Sequence, residues 1–140
     1  KENIYEHADK TFYINTFMKV LNKLLSDTNY PAISVGIGMS TAEELVVKAG
    51  RKDVGINNKV WIGKAVTTAS NLSSLGSKNG LKQIVFSSCS YNNFIDELVS
   101  RNGEKAKEWF TQQYSSSYGT YYDANIIKTD FDNWIDEGMK

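Results

Sequence analysis

Apolar side chains recur at helical spacing across residues 8–26, with Phe17, Val20, Leu21, Leu24 and Leu25 on one side and Lys19, Asn22 and Lys23 on the other. That pattern predicts an amphipathic helix. Asp27, Thr28, Asn29 and Pro31 end it, because proline cannot continue a helix and drives its predecessor toward extended geometry. Residues 33–39 and 45–49 then read as two strands joined by a short connection at 40–43. Gly36 and Gly38 alternate with Val35, Ile37 and Met39. Glycine at alternate strand positions costs stability, so it marks a place where something packs close to the backbone.

The polar stretch 50–59 reads as a loop, and Val60, Trp61 and Ile62 lead into Gly63. A helix over 64–75 buries Ala65, Val66, Ala69 and Leu72, and Gly76 stands where a left-handed cap is expected. Ile84, Val85 and Phe86 predict a strand. Two helices are expected over 92–101 and 104–114, split by Asn102 and Gly103. Ser115 to Ser117 and Gly119 read as a flexible linker, 121–129 as a strand, and Phe131, Trp134 and Ile135 as an aromatic closing element. Helices and strands in this order, with a hairpin, favour an α+β sheet with helices on one face over a doubly wound fold.

Composition narrows the picture. The 140 residues suit one domain, 1–140, with 41% hydrophobic and 23% charged residues, as in ordinary soluble proteins. Sixteen basic residues balance sixteen acidic ones, which gives no electrostatic case for nucleic acid or membrane partners. No apolar run approaches the roughly 18 residues of a membrane span. The polar opening residues do not read as a signal peptide, so a cytoplasmic location is expected. No methionine opens the chain, and a trimmed start is expected.

Candidate chemistry is sparse. Lys64, Thr67 and Asn71 stand three and four residues apart and so share one stripe of the 64–75 helix, which also reads simply as a solvated face. Trp61 reads as core packing as readily as base stacking. His7 reads as a surface residue. The single cysteine, Cys89, has no base to activate it and reads as a buried structural residue. No Cys/His cluster suggests zinc. Tyr114, Tyr118, Tyr121 and Tyr122 lack basic interleaving and read as core and hairpin residues.

The stretch 33–75 nevertheless resembles the middle of the class III adenylate and guanylate cyclase domain. The residues that carry the likeness are Val35-Gly36-Ile37-Gly38, then Gly50, then Gly63-Lys64-Ala65-Val66-Thr67-Thr68-Ala69-Ser70-Asn71-Leu72. Gln83-Ile84-Val85-Phe86-Ser87-Ser88 follows in the family's order. Within that family, Trp61-Ile62-Gly63 and the aromatic tail through Trp134 look most like the bacterial pyrimidine cyclases of Pycsar antiphage defence.

The resemblance implies a ferredoxin-like mixed or antiparallel sheet, here an incomplete cyclase-type domain representing the C-terminal part of the family's catalytic domain. It implies formation of a 3′,5′-cyclic mononucleotide and pyrophosphate from a nucleoside triphosphate. It also implies Mg²⁺ or Mn²⁺ in the complete domain and a homodimer whose subunits share each active site. The segments bearing the two metal-binding aspartates find no counterpart, so no metal ligand is assigned, no metal is expected on this chain alone, and the chain alone is expected to be inactive. It would then be a fragment of an enzyme or a degenerate binding or dimerisation module.

The family's ribose-orienting asparagine falls at Thr67. Its transition-state arginine falls at Asn71, which cannot offer a guanidinium fork. Losing a charged donor of that kind costs on the order of a hundredfold in rate, and Lys64, on the same stripe, is placed to supply the charge. The base-reading position falls at Val60, which cannot accept from the amine of adenine, and Trp61 lies beside it.

Overall fold

A computed structural model describes residues 2–42, 45–50 and 57–139. The chain opens on α1 (Glu2–Asp27), which starts well before the expected residue 8. Its buried residues include Tyr5, Ala8, Phe12, Thr16 and Val20, spaced by three and four as one helical stripe requires. The expected face is therefore turned. Phe17 and Leu24 are half exposed, while Lys19 and Lys23, read as the outer side, reach α4 (Thr129–Asp136). Lys19 Nζ lies 2.7 Å from both Asp132 and Asp136, and Lys23 Nζ donates to the Ile135 carbonyl at 3.2 Å. Partners 110 residues away, invisible to local periodicity, decide which stripe faces inward. The stop signal holds. Asn29 takes φ 62°, and the Tyr30 and Asn29 amides close onto the Leu25 and Ser26 carbonyls at 2.8 and 3.1 Å before Pro31.

Among the described residues, four strands form one mixed sheet in the order β1 (Ile37–Met39), β4 (Ile84–Ser87), β6 (Gly119–Ala124), β5 (Phe110–Ser115). β1 runs parallel to β4, and the other pairs are antiparallel. The α+β reading with a mixed sheet is met. The strand over 33–39 is shorter than expected, and it does not pair with the next strand. Instead β2 (Leu45–Gly50) pairs with β3 (Asn57–Ile62) in a separate antiparallel ribbon. β3 thus takes the end of the expected 50–59 loop; 51–56 lie outside the described residues.

β4 sorts its side chains by the two-residue alternation of a strand. Ile84 and Phe86 join Phe12 from α1, Phe94 and Leu98 from α3 (Ser88–Asn102), and Phe110 from β5. The Phe86 ring lies 5.0 Å from that of Phe94 and 5.7 Å from that of Phe110, the latter edge-on. Val85 points the other way, onto Leu72 of α2 (Lys64–Leu75) and Tyr121. The long helices α1 and α3 share one face of the sheet and the shorter α2 covers the other, so the helices are not confined to one face as expected.

The region 104–114, expected as helix, is a 3₁₀ helix (Glu104–Trp109) followed by β5. Its charged residues have helix-forming propensity, but pairing with β6 outweighs a local preference worth a few tenths of a kcal/mol per residue. Residues 115–119 are consequently a hairpin turn. The Tyr118 amide donates to Ser115 Oγ at 3.0 Å, and Gly119 takes φ 69°. β6 stops at Ala124, short of the expected residue 129, and the aromatic closing element is α4.

Candidate functional site

The glycine alternation of β1 determines where α2 can sit. A Cβ on Gly36 would collide with the Ser73 carbonyl oxygen, and one on Gly38 with the Ala69 carbonyl oxygen. Helix backbone thus rests directly on strand backbone, which is the close packing that the sequence signalled. Gly76 belongs to the same contact. Its φ is −58°, so it is no left-handed cap; a Cβ there would approach Gly36 Cα to 2.6 Å. Absence of a side chain, not backbone conformation, is what that position needs.

With α2 pressed down through Ala65 and Leu72, its far side carries the expected stripe. Lys64, Thr67 and Asn71 are all exposed. The Thr67 hydroxyl donates to the Gly63 carbonyl at 3.2 Å, and the Asn71 carbonyl accepts from Ser74 Oγ at 2.6 Å. The three share one face and line neither described cavity. Val66, expected in the core, is half exposed. Val60 and Trp61 lie on β3 opposite Val47 and Val46, and only Gly63 separates that strand from α2. Their side chains lie outside the described residues. The strand that carries Val60 and Trp61 thus leads, through Gly63, into the helix that carries Lys64, Thr67 and Asn71.

Cys89 is exposed, which corrects the buried reading. At the start of α3 the inward position passes to Ser90, which is fully buried and bonded to Thr41 Oγ1 at 2.8 Å and Ser87 Oγ at 3.1 Å. His7 is exposed as expected. Tyr121 is buried, and Tyr122 stacks on Tyr91 at 3.8 Å. Tyr114 stands out at 75% exposure on the hairpin. No group of three His, Cys, Asp or Glu side chains gathers among the described residues.

A second locus escaped the sequence reading. A cleft of about 680 Å³ runs between α1, the end of α3 and the segment after β6. Tyr5, Asp9, Tyr13, Arg101 and Lys128 line both it and an adjoining hollow of about 450 Å³. Lys128 Nζ lies 2.7 Å from Asp9 Oδ1 and 4.9 Å above the Tyr13 ring, and the Arg101 guanidinium lies 4.5 Å above the Tyr5 ring. Burial works against the Lys128 charge, but the hydrogen bond and charge of Asp9 outweigh it and raise its pKa above the ordinary 10.5. The legible signal was the four-residue spacing of Tyr5, Asp9 and Tyr13, which puts them on one flank of α1; their cationic partners come from far along the chain.

Two curated proteins match this chain. Both are named uridylate cyclase. The one from Treponema porcinum is 45% identical over 142 aligned positions, covering 99% of this chain and 46% of that protein. The one from Gulbenkiania mobilis is 24% identical over 138 positions, covering 96% of this chain and 54% of that protein. The chain therefore spans about half the length of the curated relatives it matches. No family model matches it, and no solved structure matches it.

Proposed function

We propose that the chain is the C-terminal part of a pyrimidine nucleotide cyclase of the class III type that takes uridine triphosphate. In that reaction the substrate 3′ oxygen forms a bond to the α-phosphorus. The bond from that phosphorus to the β-bridging oxygen breaks, pyrophosphate departs, and the 3′-hydroxyl loses its proton. The carrying observation is the 45% identity, across practically the whole chain, to a protein named uridylate cyclase.

Within that reading, Lys64 opens α2 as a cation for developing phosphate charge, and Thr67 and Asn71 offer neutral polar contacts one and two turns on. Val60 supplies an apolar edge against the base beside Trp61, which disfavours adenine because no acceptor meets its amine. The divalent ions of a complete domain would neutralise the triphosphate. Carboxylates to hold them do not gather among the described residues, so no step is assigned through a metal on this chain. The stripe is exposed and lines neither cavity, so this reading requires another surface to close the site, which a homodimer would supply.

The test is incubation of the full-length protein with each of the four ribonucleoside triphosphates and Mn²⁺, with products resolved by mass spectrometry. Cyclic uridine monophosphate is expected, and Lys64→Met should cut kcat on the order of a hundredfold. The 140-residue chain alone should make none. The alternative is an inactive binding or dimerisation module, favoured by Asn71 at the arginine position and by the Thr67 hydroxyl already donating to Gly63. Absence of any cyclic nucleotide from the full-length protein would leave that reading standing.

A further inference from the structure

The cleft beneath α1 is lined with more hydrogen-bond donors than the protein itself uses. Of the three N–H donors of Lys128, one meets Asp9 at 2.7 Å, and the others meet no acceptor among the described residues. Tyr5 is 8% exposed, yet no described residue accepts from its hydroxyl. A buried phenol normally finds a partner. The hydroxyl of Tyr13 is likewise without one. These three groups adjoin the same opening, where Arg101, held by Glu97 at 2.7 Å, and the Asp9 carboxylate also stand. Unused donors call for an acceptor-rich ligand, and a negative charge on it would strengthen each of those bonds.

The walls add a second requirement. Tyr13 is half exposed, with Lys128 Nζ 4.9 Å over its ring and the Phe131 ring 6.2 Å away in a tilted pair, so aromatic side chains border the mouth. A volume of about 680 Å³ falls in the range of small-molecule sites. We propose that this cleft binds a small anion bearing a flat ring, of nucleoside monophosphate size, with its charge on Lys128 and Tyr5 and its ring against Tyr13. The site is separate from Lys64, Thr67 and Asn71, which project from a helix on the opposite face of the sheet. It stands whether or not the protein is a cyclase.

Isothermal titration of the full-length protein with uridine 5′-monophosphate provides the test, alongside uridine, which lacks the anion, and ribose 5-phosphate, which lacks the ring. Saturable binding is expected for the monophosphate, with each truncated probe at least about tenfold weaker. Lys128→Met should weaken that binding by a similar factor, and Tyr5→Phe, which keeps the ring and the packing, by about threefold or more. Cooperative circular dichroism melts well above the titration temperature would show that both variants fold. Monophosphate binding that is absent, or unchanged in both folded variants, overturns the proposal, and so does uridine binding as tightly as its monophosphate.

Discussion

The two faces of the sheet are assembled by opposite means. On the side of α1 and α3, large rings fill the space, with Phe12, Phe86, Phe94 and Phe110 in mutual contact. On the side of α2 the space has been emptied. Gly36, Gly38 and Gly76 let backbone lie on backbone, and the buried cluster comprises only Leu72, Val85 and Tyr121 among the described residues. One face should therefore fail when atoms are taken away, the other when they are added. The lesson concerns precision: a helix seated on backbone has less freedom to shift than one seated on deformable side chains.

The contrast is breakable by substitution. Phe86→Ala should cost the most, roughly 3–5 kcal/mol, read as a lowered urea midpoint. Gly38→Ala should follow at about 1–3 kcal/mol from overpacking. Its sign is the diagnostic, because removing a strand glycine without a clash normally stabilises by narrowing the unfolded ensemble. A stabilised Gly38→Ala would show that α2 does not rest where described. Asp123 lies on the α2 face of β6 at 2% exposure and accepts from the Lys82 amide at 2.8 Å. Asp123→Ala leaves that amide without its acceptor and should lose about 1–3 kcal/mol, loosening the turn between α2 and β4.

The smallest effect belongs to Lys128. A raised folded pKa means that its contribution is complete below the ordinary lysine value of 10.5 and fades as pH climbs through the folded value. Denaturation curves of the parent and Lys128→Met should thus differ by under about 1 kcal/mol at pH 8 and converge in strong alkali. A gap that widens with pH would reverse the assignment.

Sequence legibility followed the same divide. The role of Gly36 and Gly38 could be read because crowding leaves a mark in residue identity: nothing larger fits. The strand at Ile84 and the helix ending at Leu75 were legible for similar local reasons. The inward face of α1 was not, since both of its stripes are apolar enough to be buried and α4 settles the matter from 110 residues away. The strand at Phe110 was hidden by helix-favouring neighbours, and its partner β6 is recognisable only once the hairpin turn at Gly119 is known. For the candidate site, spacing placed Lys64, Thr67 and Asn71 together. Spacing places Tyr5, Asp9 and Tyr13 on one flank of α1, but the tertiary approach of Lys128 and Arg101 that completes the cleft is encoded by no local pattern.

The exposed thiol of Cys89 has a practical consequence. With one cysteine in this chain, a nitroxide can be attached at a single defined point at the head of α3 without altering any other residue. Dipolar spectroscopy on such labelled material would then report, as one distance distribution, whether two copies assemble and how far apart the two labelled helix ends lie.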